Sequence, residues 1–392
     1  MDRHIVHCDL DTFFVSVERL LNSELMGKPV LIGGSGDRGV VASCSYEARR
    51  YGVHSAMPMR LARQLCPEAI LVQGDYDQYS KYSNIVTEII EDVAPVVEKA
   101  SIDEHYLDIS GMDRFFGCWK WTQELRGRII NETGLPISFG LSVNKTVSKI
   151  ATGEAKPCGE KKVDTGAEKS FLAPLSIRKI PMVGEKSYTV LRNMGISQIY
   201  TLQEMEVFTM RKVLGENGVS IWNKANGLDK SLVVPFREQK SMSKETTFEA
   251  DTTDMERLRK TLVTMVDQLA YELRKEGKLT GCITLKIRYS NFDTHTQQVK
   301  VSYTNSDKQI TEKVMELFKK LYSRRMLIRL IGVKFSKLIT GNYQVDIFND
   351  TMEEIHLMQA MDHIRKRFGV EYIMKGICLE GKGGKYATQF AQ

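Results

Sequence analysis

Over residues 1–165, short runs of alternating or β-branched apolar positions trade places with runs at helical spacing. RHIVHCDL alternates and predicts a strand, and FFVSVERLL after it predicts a helix. PVLIGG and GVVASCS predict two strands joined by a glycine-rich turn, while SYEARRYG and MRLARQL predict short helices. A long helix is expected from about Tyr76 to Val93, stopping before Pro95. VVEKASIDEHYLDIS predicts a β-hairpin with an acidic pair near its middle. WKWTQELRGRIINETG predicts a helix closed by Gly134 and Pro136. PISFGLSV then predicts a strand, and NKTVSKIATGEAK a helix ended by Pro157. Strand, helix, hairpin, helix, strand is close to the ferredoxin-like order.

Residues 166–235 are mostly helical in pattern, in short segments with frequent glycines. Residues 236–245, FREQKSMSKE, are polar without a period and predict a linker. Residues 246–340 give a strand (TTFEA), a helix to about Lys275, two strands (GCITLKIRYS, HTQQVKVSY), a helix over about 309–322 and a strand (IRLIGVKFSKLI). That is a second β-α-β-β-α-β unit. The tail 341–392 holds one amphipathic helix and ends in GKGGKYATQFAQ. The expected class is α+β and multidomain.

Composition narrows the setting. The chain has 392 residues, enough for several domains, and lacks an apolar run of the ~18–20 residues a membrane span needs. MDRHIVHCDLD has no apolar leader region, so a cytoplasmic protein without membrane association is expected. The seven cysteines are widely scattered with no CxxC pair, which predicts reduced thiols and no structural zinc. Charge is uneven: residues 1–239 hold 29 Lys+Arg against 30 Asp+Glu, but residues 240–340 hold 20 against 12. A basic block beside a neutral one suggests a polyanionic partner, most simply a nucleic-acid backbone, although a solvated basic face has the same composition.

The strongest chemical signal is Asp9 at the end of the first strand with Asp103 and Glu104 in the hairpin. If the three converge, each pair of charges at ~4 Å and an effective dielectric of ~20 costs about 4 kcal/mol, and a cation must offset it. Hard oxygen ligands with room for water and phosphate describe Mg²⁺, and two such ions would activate a hydroxyl and stabilise a leaving pyrophosphate. Asp103 and Glu104 as plain turn acids is the competing reading. Asp11 is expected to cap the helix that follows it. GSGDRG (34–39) matches GxGxxG, but a β-like segment follows rather than a helix, so a tight turn is expected instead of a dinucleotide site.

DLDTFFVSVE (9–18), SYEARRYGV (45–53), SIDEHYLD (101–108), NKTVSKIAT (144–152) and AKP (155–157) occur in the order and spacing of Y-family DNA polymerases, which the chain resembles over about residues 1–340. The resemblance implies a right-hand polymerase: a ferredoxin-like palm with small fingers (1–165, fingers about 20–75), a helical helix-hairpin-helix thumb (166–235) and a β-α-β-β-α-β little finger (246–340). It implies template-directed, low-fidelity addition of dNTPs to a primer 3′-end, without proofreading and in lesion bypass. Asp9, Asp103, Glu104 and the Leu10 carbonyl would hold two Mg²⁺ ions. Ser43, Tyr46, Arg49 and Lys156 would contact the triphosphate. Ser43 stands where the family often has Thr. Phe13 and Phe14 would line the sugar, with Phe14 clashing with a 2′-hydroxyl. The family usually has a small residue after the acidic pair; here it is His105.

IPMVGEKSYTVLRNMGIS (180–197) resembles a helix-hairpin-helix, with Gly184 and Lys186 at a DNA phosphate. Lys286, Arg288, Arg324, Arg325 and Lys334 would grip primer-template DNA from the basic block. Gln344-Val-Asp-Ile-Phe348 resembles the peptide by which bacterial polymerases dock on the sliding clamp, with Gln344, Ile347 and Phe348 as its contacts; an edge strand is the plainer alternative. A monomer is expected. Two other classes fit the same features less well: a catalytically silent DNA-binding scaffold and a palm-fold nucleotidyl cyclase.

Overall fold

The computed structural model describes residues 3–36, 38–112, 117–236, 238–323, 326–341, 352–370 and 372–378. Residues 1–237 and 238–392 form two separate units.

In the first unit, β1 (Ile5–Leu10) leads into the helix Phe13–Leu21 and an inserted three-stranded sheet. That insertion is built from β2 (Val30–Gly33), β3 (Val41–Cys44) and β4 (Ile70–Val72), in the order β3-β2-β4. The helix Tyr76–Val93 returns the chain to the main sheet, which adds β5 (Val96–Lys99), β6 (Glu104–Asp108), β7 (Ile137–Ser142) and β8 (Glu160–Lys162). The main sheet runs β5-β6-β1-β7-β8, with β1 antiparallel to both neighbours. Without β8 this is the ferredoxin-like order, with the first strand inside. β8 was not expected: Glu-Lys-Lys is exposed at every position, and it is a strand because it pairs in parallel with β7 at the sheet edge.

Alternation along β1 decides which layer each residue serves. Val6, Cys8 and Leu10 join the core formed with the helices Phe13–Leu21, Tyr76–Val93 and Cys118–Thr133. Ile5, His7 and Asp9 meet the helix Lys145–Ala155 and the lysine just beyond it. Ser148 Oγ donates to the Ile5 carbonyl (2.7 Å), Thr152 Oγ1 pairs with His7, and Lys156 Nζ lies 2.5 Å from Asp9. Two strand residues advance about 6.8 Å and four helix residues about 6.0 Å, so both periods stay in step over this length. The helix can lie this close because the adjacent β7 carries Gly140. A Cβ there would sit 2.4 Å from the Ser148 carbonyl oxygen and 2.6 Å from the Thr152 nitrogen. Residues 166–235 are mostly helical as expected: Glu168–Leu172, Glu185–Asn193, Ile199–Gln203 and Val207–Ala225, the last kinked at Gly215; Leu172, Leu191 and Leu202 share a core with Val147 and Ile150 of the helix Lys145–Ala155.

The second unit contains β9 (Ser241–Thr252), the helix Met255–Lys275, β10 (Lys278–Tyr289), β11 (Thr294–Thr304), the helix Asp307–Leu321 and β12 (Ile328–Thr340). Its sheet order is β11-β10-β12-β9, all antiparallel. The element order repeats that of the first unit, but here the first strand lies at the edge. β9 begins at Ser241, five residues inside the stretch expected to be a linker, because residues 241–247 pair with β12 despite their polar sequence. Asp254 and Ser306 cap the two helices, Asp254 accepting from the Glu256 and Arg257 amides and Ser306 from that of Gln309. A further helix, Met352–Phe368, docks on this unit through charge. Arg365, 4% exposed, donates to Asp267 (2.6 Å), and Arg274 holds Asp362 with two bonds (2.5 and 2.9 Å).

The seven cysteines are free thiols, and all except Cys158 are buried. No helix among the described residues is long and apolar enough to cross a membrane.

Phe335 is fully buried in the core of the second unit. Phe335→Ala is expected to cost about 3–5 kcal/mol, read as a drop in the urea midpoint of that unit's unfolding. A shift worth under about 1 kcal/mol would mean the core can collapse around the gap.

Candidate active site

The chain leaves β1 between the hairpin and β7. Leu10 N donates to the Asp103 carbonyl (3.0 Å) and Asp11 N to the Pro136 carbonyl (2.9 Å). Thr12 then turns the backbone through the left-handed region (φ 42°) into the helix Phe13–Leu21. This sharp exit puts the end of β1 beside the start of β6, where Asp9 is directly opposite Glu104 in the strand register. Asp103 sits in the turn just before β6 and accepts from Ser101 Oγ (2.6 Å).

The helix Lys145–Ala155 and Lys156 supply counter-charges at three points. Lys145 Nζ lies 2.7 Å from Glu98 and 4.4 Å above the Tyr106 ring. Lys149 Nζ meets both Glu104 oxygens at 2.5 Å, and Lys156 Nζ meets Asp9 at 2.5 Å. Burial pushes the Asp9 carboxyl up to about 6 against the pull of Lys156. Burial also works on Glu104, but His7 and Lys149 hold its carboxyl down at about 2. Burial lowers the pKa of His7 itself, whose Nε2 lies 3.9 Å from Glu104. His105 is fully buried, pairs through Nε2 with Thr87 Oγ1 (2.9 Å), and burial lowers its pKa to about 4. It packs against the helix Tyr76–Val93 as a neutral flank.

Among the described residues, no group of three or more His, Cys, Asp or Glu side chains is gathered into a ready metal cage. Asp9 and Glu104 are brought together; Asp103 is adjacent, with its carboxylate turned to Ser101. An all-oxygen set of this kind fits Mg²⁺, which takes one or two carboxylates and completes its shell with water and substrate phosphates.

A pocket of about 150 Å³ opens at this point. It is lined by Asp9, Leu10, Phe13, Phe14, Ser43, Arg49, Asp103 and Lys156, together with Thr12, Ala42 and Ser55. Eight positions singled out from the sequence therefore share one cavity. Phe13 is buried, whereas Phe14 is part-exposed and stacks on Tyr79 (4.3 Å between centroids, 11° between planes). Tyr79 is fixed in turn by its hydroxyl, which donates to Glu18 (2.6 Å). Arg49 lies 5.0 Å over the Tyr46 ring.

Asp11 is not the helix cap expected of it. The cap position is Thr12, which makes no side-chain capping bond, and Asp11 is 1% exposed. Tyr46 Oη, Ser138 Oγ and the Cys158 amide all donate to the Asp11 carboxylate. Burial and that charge push the Tyr46 phenol up. Lys149 was also unassigned, although its place four residues after Lys145 puts both on one helical face.

The expected DNA contacts are more dispersed. Gly184 immediately precedes the helix Glu185–Asn193 with open space where a Cβ would go, and Lys186 is exposed. Lys286, Arg288 and Lys334 lie on the face of the second sheet opposite its helices, since Ile283, Leu285, Ile287, Val333 and Phe335 fill the core side. Lys286 is paired with Glu245 (2.8 Å) and Arg288 bonds Thr294 (2.8 Å), while Lys334 is exposed. Arg324, Arg325, Gln344, Ile347 and Phe348 lie outside the described residues.

Residues 8–153 match the impB/mucB/samB family, and residues 239–347 match the C-terminal domain of that family. A DNA polymerase IV of Dehalococcoides mccartyi is 36% identical over 378 residues, covering 95% of this chain and 97% of its own. A DNA polymerase IV of Listeria monocytogenes is 36% identical over 342 residues, covering 86% and 95%. A solved Y-family DNA polymerase chimera superposes with a TM-score of 0.77 at 25% identity, over 86% of this chain and all of its own.

The Lys145–Glu98 pair is buried, and Glu98 also accepts from the Val234 amide (2.8 Å). Lys145→Ala leaves that carboxylate without its ammonium and is expected to destabilise the first unit by about 3–5 kcal/mol in urea unfolding. A near-neutral result would show that water reaches Glu98.

Proposed function

The chain belongs to the impB/mucB/samB family, the Y-family DNA polymerases, and from that premise we propose how its residues serve a translesion DNA-directed DNA polymerase. Its substrates are primer-template DNA and a dNTP, and the enzyme depends on a divalent metal, as its relatives do. The observation that carries the site assignment is the single pocket that joins the carboxylate end of β1 to Ser43, Arg49 and Lys156.

In this reading Asp9, Asp103, Glu104 and the Leu10 carbonyl hold two Mg²⁺ ions. Those ions supply the activation of the primer 3′-hydroxyl and the neutralisation of pyrophosphate. Ser43, Tyr46, Arg49 and Lys156 orient the triphosphate through hydroxyl and charge-assisted bonds. Phe13 is buried and sets the floor under Phe14, whose ring faces the sugar. The Tyr79 stack leaves Phe14 little freedom to yield to an added 2′-hydroxyl.

In this reading residues 1–165 are the palm and fingers (fingers about 20–75), 166–235 the thumb and 246–340 the little finger. The open face with Lys286, Arg288 and Lys334, together with Gly184 and Lys186, meets DNA phosphates, so binding is independent of sequence and weakened by salt. Arg324 and Arg325 are also assigned to DNA phosphates in this reading. Gln344, Ile347 and Phe348 dock on the sliding clamp and raise processivity through effective concentration. The protein works as a monomer in the cytoplasm.

Primer extension with Mg²⁺ and dNTPs tests the reading. Extension by the native chain should vanish in Glu104→Ala, while DNA binding survives. Native protein that binds DNA in a salt-sensitive way but does not extend primers would leave only a scaffold. Phe14→Ala should raise ribonucleotide incorporation by about two orders of magnitude, on the scale of removing a steric block worth roughly 3 kcal/mol. Unchanged dNTP/rNTP selectivity would remove Phe14 from that role.

A further inference from the structure

The buried carboxylate of Asp11 is held by three hydrogen-bond donors beside the pocket, yet the metal and phosphate roles above do not use it. Tyr46 Oη donates to its Oδ1 at 3.2 Å. Ser138 Oγ and the Cys158 backbone amide donate to its Oδ2 at 2.8 and 2.7 Å. Lys156 Nζ lies 3.9 Å from Oδ1. The main chain of Asp11 is pinned as well, since its amide donates to Pro136 and its carbonyl accepts from Ser16 Oγ (2.7 Å). A buried carboxylate held this way is a rigid node, because moving it would strand several donors at once.

The donors come from three distant stretches of chain. Tyr46 begins the short helix of the inserted sheet, Ser138 is on β7, and Cys158 follows Lys156 by two residues. Asp11 thus stands between the two groups expected at the triphosphate, Tyr46 and Lys156, and fixes the ring of one and the main chain beside the other.

We propose that Asp11 is a positioning residue, which holds Tyr46 and Lys156 in one frame at the phosphate end of the nucleotide pocket. The inference rests on the reading of those two residues as triphosphate contacts. It predicts a specific kinetic signature. Loss of the node loosens nucleotide binding, so KM for dNTP rises while kcat and DNA affinity change little. A merely structural acid would instead lower the active fraction, and hence kcat, at unchanged KM.

The test is single-nucleotide incorporation by Asp11→Ala, Asp11→Asn, Tyr46→Phe, Lys156→Ala and the double variant Asp11→Ala/Tyr46→Phe, with DNA affinity measured separately in chelator. Asp11→Ala should raise KM for dNTP about tenfold with kcat held within about threefold. Asp11→Asn keeps one carbonyl acceptor for Ser138 and Cys158 and should recover most of the loss. The double variant should be no worse than Asp11→Ala, since Tyr46 acts through the same node. If Asp11→Ala does not fold, Asp11→Ser combined with Tyr46→Phe carries the same cycle. Wild-type KM in Asp11→Ala, or in Asp11→Ser where it replaces it, or strictly additive effects with Tyr46→Phe, would overturn the proposal while leaving the phosphate assignments standing. Wild-type KM in both Tyr46→Phe and Lys156→Ala would overturn those assignments, and the role of Asp11 with them.

Discussion

The site depends on one matched spacing. A strand that shows every second residue to one side lies along a helix that shows every fourth, and the two repeats nearly coincide in length. Ile5, His7 and Asp9 therefore meet Ser148, Thr152 and Lys156 in turn. Hydroxyls from the helix satisfy the strand over its first two contacts, and an ammonium meets the carboxylate at the third. The chemistry begins where that zipper ends.

The same helix faces outward along its length to the next strands, where Lys145 and Lys149 answer Glu98 and Glu104. Acidic residues at the edge of a half-buried sheet repel one another strongly, and isolated charges there would drive the sheet ends apart. Lysines on a rigid element allow those carboxylates to stay both concentrated and ionised. The fold therefore tolerates the acidic cluster before any substrate contributes. The second unit handles charge differently: its sheet leaves lysine, arginine and hydroxyl side chains on an open face, and it buries the Arg365–Asp267 pair where the helix Met352–Phe368 docks.

Much of this was legible in the chain. Strong alternation located β1, β7 and β10, and acids at the ends of apolar strands marked Asp9 and Glu104. Three features were hidden for identifiable reasons. Glu160–Lys162 carries no apolar signal, since an exposed edge strand needs only a partner's backbone. Asp11 looked like a cap because it precedes a helix, but the left-handed turn at Thr12 swings its carboxylate inward to groups more than 30 residues away. The two units share one order of elements, yet their sheets differ in which strand is central, because that choice is made by contacts between distant strands. The electrostatic partners of the site were partly visible as the four-residue spacing of Lys145 and Lys149, though not which acids they would meet.

Gly140 touches no nucleotide-pocket residue named here, yet it sets how closely the helix Lys145–Ala155 can approach the sheet. Even a methyl group there would collide with helix backbone, which cannot rotate away as a side chain can. The helix would have to lift, carrying Lys145 and Lys149 with it and pulling on Lys156 just beyond its end. Inheritable loss of function in this protein can thus arise from a residue with no side chain at all, in the middle of a strand, by a change of thickness between two layers rather than a change of chemistry.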